Sequence, residues 1–590
     1  MYAASVSAID LPKVDNSAMS LDVTETSIVA QRFEARQGEA PADQGYFSWL
    51  NRLNAVLTWK KWTVGLRIDS SVYTLIPDDP SAAQARSTRY RNAVYPAKGW
   101  VTYRSGILEA TAGDSYVTFG RGLVLSLRKV DELGIDTTLF GAKVTLQQDP
   151  FSFTAIAGFA NPARVDEPTN ATLFLADPIG TTGAQPVFGN DRIFGAQIQG
   201  GRGLPVVAST HAAFMRKCSP YTYTGPRTIN DDFFDAPFGT CDDTSVNNFL
   251  ATLPDKLSPI VQSKETVNAG QSVEIPSLGG HGSIYVEAAV QQHDPWPASA
   301  KHETSGNAVY GSFVANGGPV TNTLEFKSYR NYFPLAASVN TNRVPAFAAV
   351  AYSAPPTAEV VDEDAEFNAF NTCVTGGRDR LDYRVSDGVI VWSALGLFET
   401  RGEGPGAECD RFGHSLAPEP KKATNDVVDV SAGAEIRFDE EKSIAFLSAK
   451  FRNDQTEADT AYYREYAIRY SITKHLTGPY ALELAGRHRH RQEDTVNVRT
   501  NLGGDPWREG EHYTALKIAP KWIFSQGFEY TTLVSLPTYY FNGSILYKFT
   551  SKSNIRAYVG QNRGGLRCTN GICRFLPAFS GARVELTLRF

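Results

Sequence analysis

The chain has 590 residues, with 57 basic and 63 acidic side chains and a formal net charge of -6. That balance gives no basis for nucleic-acid binding. No stretch approaches the roughly 20 consecutive apolar residues of a membrane helix. Met is scarce (3), while Tyr (26), Phe (33) and Gly (49) are plentiful, a usage that favours strands over helices. A mean hydropathy of -0.26 does not argue against membrane insertion, because in a membrane β-barrel only every second residue faces lipid.

The chain opens on Met1-Tyr2-Ala3-Ala4-Ser5, with no basic-then-apolar export signal. If the chain is exported, its numbering is expected to begin near the mature N-terminus. Residues 1–18 read as a short periplasmic or lumenal segment, and alternation starts near residue 19. Side chains on a strand point to opposite faces with period two. Val64, Leu66 and Ile68 oppose Arg67 and Asp69. In 424–438, Val428, Val430, Ala432, Ala434, Ile436 and Phe438 oppose Asp429, Glu435 and Arg437. In 459–473, Tyr466, Ile468, Tyr470 and Ile472 oppose Glu465, Arg469 and Ser471. Arg487, Arg489 and Arg491 share one strand face with Glu483, and His488 and His490 fall on the other, read as interface residues rather than metal ligands. Further on, Leu516, Ile518 and Trp522 oppose Lys517 and Lys521, and Phe541, Ile545, Tyr547 and Phe549 oppose Asn542, Ser544 and Lys548. The chain ends on Ala582-Arg583-Val584-Glu585-Leu586-Thr587-Leu588-Arg589-Phe590, an unbroken alternation closed by an aromatic residue.

Short connections alternate with long ones, as in a barrel whose turns face the periplasm and whose loops face outward. Lys60-Lys61-Trp62, Gln148-Asp149-Pro150, Gly279-Gly280, Asp439-Glu440-Glu441 and Ser525-Gln526-Gly527 are expected to be short turns. Long connections fall near 75–96, 161–190, 217–263, 332–377, 401–423 and 491–510. The expected fold is all-β, one transmembrane antiparallel barrel over 19–590 with about 24 strands (between 22 and 26) and both termini on the periplasmic side. Strands at 97–105, 264–276 and 378–386 are the weakest in pattern, and parity requires the one near 264–276. No internal repeat, linker or composition shift divides the chain.

Six cysteines, Cys218, Cys241, Cys373, Cys409, Cys568 and Cys573, fall in loop-like sequence, and the even count fits disulfides in an oxidising compartment. Nearest-neighbour pairing joins Cys218 to Cys241, Cys373 to Cys409 and Cys568 to Cys573. No C-x₂-C pair supports a metal site, and no C-x-x-C-H supports haem, so no cofactor is expected. Aspartates 231, 232, 235, 242 and 243 lack the spacing of a calcium loop and read as solvated. No G-x-S-x-G elbow is present, so the chain is not read as an enzyme.

The terminal Phe590 resembles the assembly signal of bacterial outer-membrane barrels. The segment Gly113–Leu125, with Phe119-Gly120-Arg121-Gly122-Leu123, and its continuation Glu132-Leu133-Gly134-Ile135-Asp136 are similar to a family of large outer-membrane proteins frequent in Bacteroidota. In that family a strand runs into Phe-Gly-x-Gly-Leu, and Leu-Gly-x-Asp precedes the next strand. Ile284–Val290, Asp294-Pro295, Lys327–Phe333 and Pro355-Pro356 look similar too. The resemblance implies fold and location in the bacterial outer membrane, among its lipid, lipopolysaccharide and barrel-assembly machinery. It supplies no substrate.

Residues 119–137 are too long for a tight turn and too apolar for a plain exterior loop. Leu123, Val124, Leu125 and Leu127 need burial, and Arg121, Arg128 and Lys129 need acids or water. Two expectations stand side by side for this segment: a constriction folded into the lumen, or a loop packed across the rim. Arg67, Asp69, Arg469, Arg487 and Arg489 are expected to line the lumen. A barrel this wide needs filling. The chain therefore reads as a porin-like transporter narrowed by its own loops, or as a scaffold holding a partner (a lipoprotein, a secreted chain or a cytochrome) in its lumen or at its rim.

Overall fold

Strands with one apolar and one polar face must hide the polar face from lipid or the apolar face from water. A computed structural model shows which: 24 antiparallel strands close into one barrel. The structure describes residues 9–14, 17–35, 45–75, 92–130, 135–162, 165–166, 171–172, 191–218, 241–244, 247, 264–294, 305–330, 332, 335–336, 374–401, 424–456, 462–493, 506–533, 538–569, 572–576 and 578–590.

The first quarter of the wall is β1 (Ser17–Ala35), β2 (Tyr46–Trp59), β3 (Trp62–Thr74), β4 (Ala93–Ser105), β5 (Leu108–Ser115) and β6 (Ile135–Gln148). It continues with β7 (Phe151–Pro162), β8 (Arg192–Gly200), β9 (Val207–Arg216), β10 (Glu265–Ile275), β11 (Gly282–Asp294) and β12 (Ser305–Gly317). The second half holds β13 (Val320–Arg330), β14 (Val374–Ser386), β15 (Val389–Arg401), β16 (Thr424–Phe438), β17 (Ser443–Thr456) and β18 (Tyr462–His475). It ends with β19 (Tyr480–Glu493), β20 (Trp507–Ile518), β21 (Trp522–Thr531), β22 (Tyr539–Lys548), β23 (Asn554–Asn562) and β24 (Ala578–Arg589). Each strand pairs with its successor. The ring closes where β24 meets β1, with Arg589 opposite Thr24 and Ala578 opposite Ala35.

The three strands weakest in pattern are present, as β4, β10 and β14, the second of them the one that parity required. One expected turn is not: Ser525, Gln526 and Gly527 lie inside β21, and the turn falls at residues 519–521, where the Lys521 N–H donates to the Ile518 carbonyl at 3.1 Å. Gly527 serves close approach instead. A Cβ there would lie 2.5 Å from Asn542 Oδ1 on β22.

The outer surface is apolar and the inner one polar. On β3, Val64 and Leu66 are exposed while Arg67 and Asp69 are 3% and 0% exposed. Tyr466 and Ile468 point outward from β18, and Glu465 is buried on the other parity. This inverts the soluble arrangement and suits hydrocarbon outside. Aromatic pairs mark both ends of the apolar band. Trp62–Tyr103 (4.7 Å) and Trp522–Tyr547 (4.4 Å) stand near the short turns, and Phe451–Tyr466 (5.1 Å) and Phe528–Phe541 (5.0 Å) stand near the long loops. His488 and His512 join the upper belt, their rings 4.5 Å apart, with His488 Nδ1 bonded to the Tyr530 hydroxyl at 3.0 Å.

Short turns are locally pinned. Asp439, Glu440 and Glu441 all have positive φ (56°, 57° and 66°). The Ser443 hydroxyl donates to Asp439 Oδ2 at 2.6 Å, and Lys474 bonds the same oxygen. Those hydrogen bonds, Lys474 first, hold the Asp439 carboxyl below its usual range.

At the seam, Val23 and Phe590 exchange backbone hydrogen bonds of 3.2 and 2.9 Å. Just beyond, the strand Ile9–Val14 takes over the same edge of β1, with Ile9 opposite Leu21. At the long-loop end Cys218 and Cys241 form the expected disulfide. Cys373 and Cys409 lie outside the described residues. Cys568 and Cys573 are register partners on the hairpin of Gly565–Thr569 and Ile572–Leu576.

Candidate functional site

Between β5 and β6 the chain leaves the wall. Val117–Phe119 and Leu125–Leu127 pair as a small hairpin, with Phe119 opposite Leu125. Its turn uses Gly120 and Gly122 at φ 56° and 97°, a left-handed region that side chains other than glycine adopt at a cost. Leu335–Ala336, from beyond β13, adds a parallel strand against Leu125–Ser126. Tyr332 fastens it, its hydroxyl donating to the Leu123 carbonyl at 2.9 Å. Burial of Tyr332 raises its pKa well above the ordinary phenol, so this bond has a fixed donor.

The hairpin packs against inward-facing residues of β8 to β11. Phe119, Leu123, Val124, Leu125 and Leu127 are 0% exposed. Burial of such side chains contributes about 1.5–3 kcal/mol apiece. Gly195 on β8 and Gly270 on β10 leave the room they fill: a Cβ at either would lie 2.8 Å from the Phe119 ring or from Val124 Cγ2. Asn268 Nδ2 donates to the Val124 carbonyl at 3.2 Å and is itself held by Gln291 at 2.6 Å.

Glu287 on β11 is the anchor. Its Oε2 accepts the Arg121 backbone N–H (3.0 Å) and the Tyr285 hydroxyl (2.6 Å), and its Oε1 faces His211 Nε2 at 3.0 Å. The Arg121 guanidinium lies 4.0 Å over the Tyr285 ring. Ser209 Oγ stands 3.3 Å from His211 Nδ1 and 2.7 Å from Ser272 Oγ. This Ser–His–Glu line has the groups of a hydrolytic triad; all three are buried, with His211 beside the Phe119 ring and Glu287 against Gly120.

A second cluster ties the hairpin's entry strand to the wall. Arg67 forks onto Asp69 at 2.7 and 2.8 Å and also binds Asp136. Lys98 sits 3.1 Å from Asp136, and the Tyr116 hydroxyl donates to Asp136 at 2.6 Å. Asp114 accepts from Thr138 (2.5 Å), Asn161 (2.8 Å) and the Gly99 N–H (2.7 Å). Lys98 shares the inward parity of Trp100 and Thr102, and the bulge in the β3–β4 pairing falls at Ala97, just beyond it. Buried charges persist only when partnered, and here each carboxylate meets at least one cation or several donors.

Across the lumen, charge stands near the long-loop end. Arg489 and Arg491 both reach Glu509 (2.9 and 3.3 Å), Arg491 binds Glu465 at 3.0 Å, and Arg563 also binds Glu509. Arg487 pairs with Glu511 at 3.1 Å. Arg469 is exposed on the same inward parity, opposite Arg487. Arg128 is half-buried and Lys129 exposed where the chain returns to β6. Sequence reasoning did not single out Glu287, His211 or Lys98, and it met Asp136 and Tyr332 only within the stretches that carry the family resemblance. The inward parity of Glu287 with Tyr285 was readable, but the hairpin as its partner was not.

A family of unknown function (DUF6029) matches residues 12–166 and 511–590. These stretches carry β1 to β7 with the hairpin and most of β20 to β24, which adjoin across the seam. The match includes 113–142 and leaves out 284–356. No curated protein matches the chain. Among solved structures, the P pilus usher (PapC) translocation pore is similar at 10% identity and TM-score 0.38, covering 96% of this chain and 99% of that one. The outer-membrane protein opdK of Pseudomonas aeruginosa is similar at 11% identity and TM-score 0.35, covering 76% and 97%.

Proposed function

We propose that the chain is a porin-like channel of the bacterial outer membrane, in which the hairpin at 116–130 narrows the path and solutes pass by diffusion. The observation that supports it is the seating of the hairpin: an apolar knot fixed to the inner wall well below the long-loop rim. A ring of 24 strands is roughly 45–50 Å across at ordinary strand spacing and tilt, so an empty one would breach the envelope. The resemblance to large barrels of Bacteroidota, the Phe590 terminus as assembly signal and the apolar band facing lipid and lipopolysaccharide fit this reading. Arg121, Arg128 and Lys129 then sit at or beside the narrowing, and Arg67 and Asp69 brace the wall behind it.

Purified barrel in planar bilayers tests the reading. Steady conductance that rises when 122–134 is replaced by a short flexible linker supports it; a silent pure barrel sinks it. The inward faces of β18 to β20, with exposed Arg469, leave space opposite the hairpin among the described residues. That space favours one second reading, a scaffold holding a partner protein. A stoichiometric protein co-purifying from native membranes would replace the channel by that scaffold.

A further inference from the structure

Beneath the hairpin, toward the short-turn end, lies a cavity of about 600 Å³, within the roughly 300–1,000 Å³ of small-molecule sites. We infer that this cavity binds a small hydroxylated carboxylate. The inference deepens the channel reading by naming a class of solute.

Register places the site. Arg104 on β4 is opposite Glu109 on β5, Glu109 opposite Thr145 on β6, Thr145 opposite Thr154 on β7, and Thr154 opposite Gln197 on β8. Five polar side chains thus stand in one register row across five strands, all lining the cavity. A bare hydrophilic wall does not need such a row. Here it presents two hydroxyls 3.2 Å apart and an amide, groups that both donate and accept and so match a chain of hydroxyls.

The charge of the lining selects the ligand. Among the described residues of the lining, three cations, Arg104, Arg128 and Lys143, face one acid, Glu109. Arg104 bonds Glu109 at 2.7 Å, so that pair is balanced. Lys143 stands on the same face of β6 as Thr145, one step above the row, and donates to the Tyr116 carbonyl at 3.3 Å. An ammonium carries three donors, so Lys143 can hold the hairpin and still meet a carboxylate. Arg128 enters from the hairpin side; it already has a partner in the fold, and the five donors of its planar fork allow it to meet the same group as well. The ligand would lie with hydroxyls along Thr145, Thr154 and Gln197 and its carboxylate toward Lys143 and Arg128.

Calorimetry on the purified, heat-modifiable barrel in detergent tests this with gluconate and with sorbitol, its uncharged counterpart. Gluconate is expected to bind saturably, at least ten-fold tighter than sorbitol. The double variant Lys143→Gln, Arg128→Gln should lose that ten-fold preference while keeping its heat-modifiable migration. The single variant Thr154→Val should weaken gluconate about as much as sorbitol. Equal binding of the two probes, no saturable gluconate binding, or a double variant that keeps the preference overturns the site. A barrel that binds gluconate but is silent in bilayers refutes the channel and leaves the site; one that conducts without binding does the reverse.

Discussion

The Glu287 carboxylate on β11 accepts the backbone N–H of Arg121 at 3.0 Å, joining positions 166 apart in the chain. The same carboxylate takes the Tyr285 hydroxyl and faces His211. Removing it strands buried donors, each costing about 1–3 kcal/mol. Glu287→Ala should therefore unseat the hairpin turn while the wall, held by its own ladder, stays closed. The expected outcome is larger and noisier single-channel conductance and new protease cutting near Arg121. Glu287→Gln keeps two acceptor sites and should fall between the two. Conductance of Glu287→Ala identical to the parent would show that the clamp does not govern the hairpin.

Gly120 faces the other side of that contact. A Cβ there would lie 2.6 Å from Glu287 Oε1, and the residue sits at φ 56°. Glu287 cannot swing aside without losing its other partners. Gly120→Val should then reproduce the conductance of Glu287→Ala, whereas Gly203→Val, with no atom within 4 Å of its Cβ position, should keep the parent's conductance. Measuring both in one bilayer series separates steric unseating from the general cost of a side chain at positive φ.

What the sequence disclosed follows a physical divide. Period-two alternation is a local property, so the strands of the wall were legible, including Glu265–Ile275, which parity alone demanded. The misplaced turn near Gly527 shows the limit: a glycine signals either a turn or a close approach, and only the neighbouring Asn542 decides between them. The hairpin's apolar residues announced a need for burial but not where. Its receptors, Gly195, Gly270 and Glu287, are ordinary inward positions until barrel closure brings them beneath Phe119, Val124 and Arg121. The row from Arg104 to Gln197 was hidden for the same reason, since register across five strands is a property of pairing, not of any one segment.

The Lys98–Asp136–Arg67 cluster gives a stability test. Removing one member of a buried pair costs about 3–5 kcal/mol, while replacing both with neutral groups of similar volume costs far less. Lys98→Met alone leaves Asp136 with Arg67 and Tyr116, so the loss should sit at the low end. Asp136→Asn takes from Lys98 the carboxylate it pairs with and leaves Arg67 to Asp69 alone, so it should sit at the high end. The double variant should recover part of the loss. Urea unfolding of barrels refolded in lipid vesicles reads all three. Additive losses in the double variant would show that the two side chains are not coupled.

The last prediction concerns which face of the wall meets lipid. Ile468 and Ala467 are neighbours on β18, the first 52% exposed on the outer parity and the second on the inner parity with Glu465 and Arg469. An arginine facing hydrocarbon costs about 2–4 kcal/mol near the bilayer midplane and little near the interface. Ile468 is opposite His488 of the upper belt, between interface and midplane, so Ile468→Arg should lower unfolding stability in vesicles by about 1–2 kcal/mol, and the loss should shrink in detergent, whose head groups lie closer. Ala467→Gln, one residue away, should change stability by less than about 0.5 kcal/mol, because it adds a polar group on a face already lined by Glu465 and Arg469. A reversed order, with the inner substitution costly and the outer one tolerated, would mean that the apolar surface packs against protein or water rather than against lipid.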